Sequence, residues 1–140
     1  MRVQSKTKLF VSPNNGVDWE AVSSTRSWTS VATSSNGQKM LAGAMKSKLY
    51  FSSNYGATWS SKAASKNWRA VAMSANGNTL YGAVVSGFIF KSTNGGSSWT
   101  SITPSTGTDG AWVTPVLLDP VNPAIIYMGY TDLMKSTDRG

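Results

Sequence analysis

The chain contains no cysteine and no histidine. The first absence excludes disulfide staples and thiolate metal sites and leaves the redox compartment open. The second removes the usual general base and the commonest metal ligand. Acidic residues are scarce too, six against thirteen Lys and Arg, so carboxylate-dependent chemistry has few candidates. No apolar run approaches the length of a membrane span, and Met1–Ser12 carries basic residues without the continuous apolar stretch of a secretory signal.

What the chain does have is aromatic weight and a repeat. Six Trp, five Tyr and four Phe supply ample apolar area, and with 14% charged residues the composition is not that of a disordered chain. The register Ser-x-Asn-x-Gly-x-x-Trp recurs at a spacing of forty residues, as Ser12-Asn14-Gly16-Trp19, Ser52-Asn54-Gly56-Trp59 and Ser92-Asn94-Gly96-Trp99. A fourth copy opens at Ser136 and Asp138 and is interrupted at Gly140. Sliding the sequence by forty also aligns Trp28-Thr29-Ser30-Val31-Ala32 with Trp68-Arg69-Ala70-Val71-Ala72, and Ser35-Asn36-Gly37 with Ala75-Asn76-Gly77. An Asn-Gly pair between apolar runs is a hairpin signal, since both residues tolerate positive φ.

Each unit therefore reads as a meander of four strands. Strand A is expected at Trp28–Ser34, B at Lys39–Ala44, C at Lys48–Ser52 and D at Trp59–Ser61. The next unit repeats them at Trp68–Ser74, Thr79–Ala83, Phe88–Ser92 and Trp99–Ile102. A third has A at Trp112–Leu118, B at Ala124–Gly129 and C at Leu133–Ser136, with Asp119-Pro120-Val121-Asn122-Pro123 replacing the Asn-Gly turn. No helix is needed. The predicted fold class is all-β: β-propeller blades, each four-stranded and antiparallel, about three and a half per chain. Residues 1–140 form one repeat array, with a partial blade (strands C and D) at 1–22, blades at 28–61 and 68–102, and an incomplete blade (A to C) at 112–140.

A closed propeller needs about four to eight blades. The expected partner is therefore a second copy, a homodimer closing a ring of six or seven blades with one duplicated C strand displaced. A stretch of a longer propeller, ended mid-repeat, is the competing expectation.

The octapeptides resemble the Asp-box, or bacterial neuraminidase repeat, of sialidases, sortilin-type receptors, xyloglucan-degrading glycosidases and photosystem assembly factors. The full unit is most similar to tandem repeats of large uncharacterised secreted or surface propellers. That resemblance implies a propeller fold and an extracellular or cell-surface setting. It implies little chemistry, because these families share blades and differ in their sites. Physically, the Asn of each box can accept turn N–H groups, the Gly supplies an unusual φ and the Trp packs over the hairpin. Three boxes carry Asn where the family has Asp, so no calcium site, and no metal or cofactor at all, is expected.

Two enzyme readings can be tested on the residues. A sialidase needs an arginine triad, a Tyr paired with a Glu and an acidic donor; Arg2, Arg26, Arg69, Arg139 and the single glutamate Glu20 do not reproduce that pattern. A two-carboxylate glycosidase needs acids facing across a groove. Asp18, Asp119 and Asp138 fall in turns on the box side, which leaves Asp109 and Asp132 as the pair whose loops converge on the other face. The expectation is a non-enzymatic binding or assembly module, with a fragment of a sialidase-like or xyloglucanase-like propeller as the alternative.

On the face formed by the D-to-A and B-to-C loops, the site expected to bind ligand consists of Arg26, Lys46, Lys62, Lys66 and Arg69. Five cations around a channel mouth raise the local concentration of an anionic partner. The candidates are an acidic or sulfated glycan and an acidic protein segment. Nucleic acid is disfavoured because no aromatic residues interleave with the basic loops as stacking platforms.

Overall fold

A computed structural model describes residues 6–85, 88–103, 116–119, 122, 124–129 and 133–137. Among these residues every regular element is a strand: β1 (Phe10–Val11), β2 (Glu20–Ala21), β3 (Trp28–Thr33), β4 (Met40–Ala44), β5 (Ser47–Ser52), β6 (Ser60–Lys66), β7 (Trp68–Met73), β8 (Leu80–Val84), β9 (Ile89–Ser92), β10 (Thr100–Ser101), β11 (Val116–Leu118), β12 (Ile126–Gly129) and β13 (Leu133–Ser136). They form four antiparallel sheets, β1-β2, β3-β4-β5-β6, β7-β8-β9-β10 and β11-β12-β13, in which every strand pairs with its neighbour in sequence. This is the all-β stack of propeller blades that the forty-residue period predicts.

In the two complete blades the turn between the first two strands differs from a simple Asn-Gly hairpin. Gly37 and Gly77 take φ of 71° and 68°, but neither Asn36 nor Asn76 has positive φ. Instead the Asn36 side-chain oxygen accepts from the Gln38 amide at 3.1 Å and from the Ser34 hydroxyl at 2.8 Å. Asn76 does the same with Asn78 and Ser74. Because its side chain closes the turn, the asparagine keeps an ordinary backbone and only the glycine goes left-handed.

Strand D also departs from expectation. The repeat predicts it at Trp59–Ser61, whereas β6 runs from Ser60 to Lys66 and is joined to β7 by Asn67 alone. Leu49 pairs with Lys62 and Ser47 with Lys66, so Ala63, Ala64 and Ser65 stand opposite Lys48 by itself. Ala63 absorbs this bulge at φ 57°. The bulge turns the Ala64 carbonyl outward, where it accepts the Trp68 indole N–H at 3.3 Å.

Successive sheets pack face to face. Trp68, Val71, Met73, Leu80 and Val84 meet Leu41 and Leu49 of the sheet before. Ala72, Tyr81, Ala83 and Ile89 meet Val116, Ile126 and Met128 of the sheet after. A register shift between Trp68 and Ala70 lets Trp68 and Val71 point to the same side despite their odd spacing. Both faces of the second sheet are thus covered, and all five residues of β8 are buried. That double burial is why β8 reads as Leu-Tyr-Gly-Ala-Val with no polar alternation.

Gly82 is the tightest point in this seam. A methyl there would meet Trp68 Cζ3 at 2.7 Å and Leu49 Cδ1 at 3.2 Å. The indole is buried and cannot swing away. Gly82→Ala is expected to cost about 1–3 kcal/mol through overpacking. Gly37→Ala, which meets nothing within 4 Å and carries only backbone strain at φ 71°, should cost about 1 kcal/mol. Urea unfolding of both variants checks the order.

Candidate functional site

The repeated box turns use up their own polar atoms. In the second copy the Ser52 hydroxyl accepts from Gly56 N at 3.0 Å and donates to Asn54 Oδ1 at 2.9 Å. Asn54 Oδ1 accepts from Thr58 N at 3.0 Å while Asn54 Nδ2 donates to the Thr58 hydroxyl at 2.9 Å. Ser92, Asn94, Gly96 and Ser98 repeat the set, as do Ser12, Asn14, Gly16 and Asp18. The asparagine thus closes the turn with its oxygen and ties the residue before the Trp with its nitrogen. Among the described residues no cluster of acids, His or Cys suits a metal ion.

Of the five predicted cations, two prove to be stacked on rings. The Arg26 guanidinium carbon lies 4.3 Å from the Tyr50 ring centroid, and Lys66 Nζ lies 5.0 Å from that of Phe90. Arg26 and Lys66 are forty residues apart, as are Tyr50 and Phe90. Each ring in turn makes an edge contact with the Trp that opens its blade, Tyr50 with Trp28 at 5.4 Å and Phe90 with Trp68 at 5.7 Å. The residue that ends one blade therefore sets its charge on the third strand of the next, an arrangement worth about 0.5–1 kcal/mol at an exposed site. The only trace of this ladder in the sequence is the pair of forty-residue spacings, Arg26 to Lys66 and Tyr50 to Phe90.

Lys46 occupies the two-residue turn between β4 and β5 with φ 50°. Its amide donates to Asn67 Oδ1 at 3.1 Å, and the Met45 amide beside it donates to the Ser27 carbonyl at 2.9 Å. These two bonds hold Lys46 between the segment that carries Arg26 and the one that carries Lys66. Arg69 stands at the register position of Thr29, whose hydroxyl lies 3.0 and 2.9 Å from the carbonyls of Gly43 and Trp68 in the seam between sheets. Arg69 Nε is buried without a hydrogen-bond partner among the described residues.

Lys62 belongs elsewhere. The repeat register predicts a loop position at the channel mouth, but β6 continues through Lys62 and its stem lies across the next box turn: a methyl on Gly96 would meet Lys62 Cγ at 3.0 Å. It shares that side with Lys39, whose Nζ bonds Asn76 O at 3.1 Å and Asn78 Oδ1 at 2.6 Å. The Lys46 turn thus lies between the segments that carry Arg26 and Lys66, and the stem of Lys62 lies over the Gly96 box turn.

Two of the described carboxylates, Asp18 and Asp119, are engaged in turns. Asp18 accepts from Asn14 at 2.7 Å. Asp119 accepts from Asn122 N at 2.8 Å and from the Tyr127 hydroxyl at 3.2 Å. Desolvation, followed by the hydrogen bond to Asp119 and its charge, raises the Tyr127 phenol above its ordinary value. Asp109 and Asp132, the candidate glycosidase pair, lie outside the described residues, as do Arg2, Asp138 and Arg139.

The chain matches no protein-family model and no curated protein. Solved structures do resemble it, and they are β-propellers. The GH74 enzyme of Niastella koreensis is 28% identical over 80% of this chain, with a TM-score of 0.66. The GH74 xyloglucanase of Xanthomonas campestris is 19% identical over 99% of this chain, with a TM-score of 0.73. YCF48 bound to a D1 peptide is 16% identical over 81%, with a TM-score of 0.63. The chain spans only 16%, 21% and 38% of these proteins respectively.

The box geometry makes a contrast that can be measured. Asn14→Asp sets a second carboxylate against Asp18 where an amide donated at 2.7 Å, and should lower stability by about 0.5–1 kcal/mol. Asn54→Asp faces the Thr58 hydroxyl, which can reverse its bond, and should change stability by less than about 0.5 kcal/mol. Denaturant midpoints at low salt read both.

Proposed function

We propose that this chain is a non-catalytic β-propeller segment whose Asp-box-type turns are structural and whose opposite face binds a chain of carboxylates or sulfates. The observation that supports the reading is the pair of ring-stacked cations, Arg26 over Tyr50 and Lys66 over Phe90, with the Lys46 turn bonded to the segments that carry them. A cation already fixed on a ring loses less side-chain entropy when it meets an anion. Arg26 and Arg69 suit planar, two-pronged recognition of carboxylate or sulfate, while Lys46 and Lys66 act as point charges. The peptide held by the YCF48 propeller supports a binding role for such a blade array.

Titration calorimetry with a heparin-derived oligosaccharide and with poly-glutamate separates a glycan source from a protein source of the same chemistry. Binding to at least one probe is expected, weakening about tenfold or more between 50 and 300 mM NaCl. The double variant Lys46→Ala, Arg69→Ala should weaken it about fivefold or more, and Lys62→Ala less than about twofold. Absence of binding to both probes at low salt, or equal losses for Lys62→Ala and the double variant, would overturn the reading.

The 28% identity to a GH74 enzyme favours one second reading, a segment of a glycoside hydrolase propeller whose acids are Asp109 and Asp132. Hydrolysis of xyloglucan by this chain, abolished by Asp109→Asn or Asp132→Asn, is the outcome that would establish it in place of the binding role.

A further inference from the structure

One break in the repeat falls in the seam between the two complete blades. The third strand opens with Lys8 and Lys48 in the first two units and with Phe88 in the next. The Val84 amide donates to the Phe88 carbonyl at 3.0 Å, which continues the register in which Ala83 faces Ile89 and Gly82 faces Phe90. Phe88 therefore lies across from Val84 and two residues from Phe90, on the face that both of those present to the preceding blade. Trp68 pairs with Val84 in turn, so Trp68, Val84 and Phe88 form one row across three strands. The first two are 1% and 6% exposed, while Phe88 is 53% exposed. Both sheets that border this seam have all four strands.

A fixed cation borders the same end of the seam. Lys66, the last residue of β6, pairs with Ser47 and holds its Nζ 5.0 Å from the centroid of Phe90, two residues along the strand from Phe88. Asn67, which follows it, clips the turns on either side. Its Oδ1 accepts the Lys46 amide at 3.1 Å, and its carbonyl accepts the Val85 amide at 2.9 Å. Val85 adjoins Val84, the residue across from Phe88. Backbone bonds thus tie the junction that carries Lys66 to the hairpin that carries the exposed ring.

An exposed ring beside a fixed ammonium suits a ligand that carries a stackable face and a carboxylate on one rigid unit. An acidic peptide holds its carboxylates on flexible stems and makes little use of the ring, and single-stranded nucleic acid calls for successive stacking rings. A uronic acid pyranoside meets both demands. The C–H bonds on one face of the sugar are slightly positive and meet the negative face of the aromatic quadrupole, while the carboxylate accepts from the ammonium. We infer that Phe88 and Lys66 form a subsite for one uronic acid residue of a glycan chain, the sugar stacked on Phe88 and its carboxylate on Lys66. The inference rests on the anion-binding reading above and narrows its ligand to a glycan with carboxylates on its rings.

Titration calorimetry at about 50 mM NaCl with tetragalacturonate, its methyl ester and poly-glutamate tests it. Tetragalacturonate is expected to bind, and the ester, which keeps the rings and loses the charges, to bind about tenfold more weakly or worse. Phe88→Ala should weaken tetragalacturonate about fivefold or more and poly-glutamate less than about twofold, and Phe88→Tyr should keep the glycan affinity. Lys66→Ala should weaken both acidic probes. Far-ultraviolet dichroism checks that the variants fold, and Phe88→Leu, which keeps apolar bulk beside Val84 without a ring, should follow the pattern of Phe88→Ala. Binding of poly-glutamate without tetragalacturonate, equal losses of both from Phe88→Ala, or an ester that binds as tightly as the acid would overturn this inference and leave the broader reading standing. Tighter binding of a thymidine tetranucleotide, lost in Phe88→Ala, would overturn it in favour of base stacking. If tetragalacturonate, poly-glutamate and the heparin-derived oligosaccharide all fail to bind, both readings fall.

Discussion

The interaction on which the rest of this structure depends is the seating of Trp68 in the seam between two sheets. Its indole is buried, donates to the carbonyl of Ala64 in the preceding blade, lies over Gly82 of its own blade and touches Phe90 and Trp99. Each contact explains an oddity elsewhere. The bulge at Ala63–Ser65 exists where a carbonyl must turn out to meet the indole, and β8 has a glycine where the ring passes. Trp28, at the same position one blade earlier, is only half-buried and its indole nitrogen finds no partner among the described residues.

The same seam governs where positive charge can be displayed. Arg26 and Lys66 end the segments that lead into a new first strand, and each reaches across to a ring on the next blade. Their charge is thus spent twice, once on the quadrupole of Tyr50 or Phe90 and once as field at the blade end. Lys39 and Lys62 cross the seam as well, but near the box turns, where Lys39 meets carbonyl and amide oxygens and the Lys62 stem lies over a glycine. Cations toward the two ends of the seam thus hold blades together in different ways.

What repeats in this chain is scaffold, and what varies is where specificity can arise. In the three described boxes, serines, asparagines and glycines bond one another inside eight residues, which makes them turn devices. Arg69 in place of Thr29, and Lys46 where the next unit has Ser86, break the repeat at positions beside the candidate face. A fold shared with glycoside hydrolases and with a peptide-bound propeller is consistent with that division, since the blades are common and the sites differ.

The sequence by itself determined the strands, their order and the turns, because those depend on chemistry that is local. Asn36-Gly37 and the boxes close through bonds spanning two to five residues, and the apolar runs of β4 and β8 carry their burial in their composition. Even so, the local rule named the wrong backbone for Asn36, since its side chain, not its φ, makes the turn. Only the tertiary structure decided the length of β6, the direction of Lys62 and the stacking of Arg26 and Lys66. Each of those rests on a contact across the seam, between residues some four to forty positions apart, that exists only once two sheets are pressed face to face.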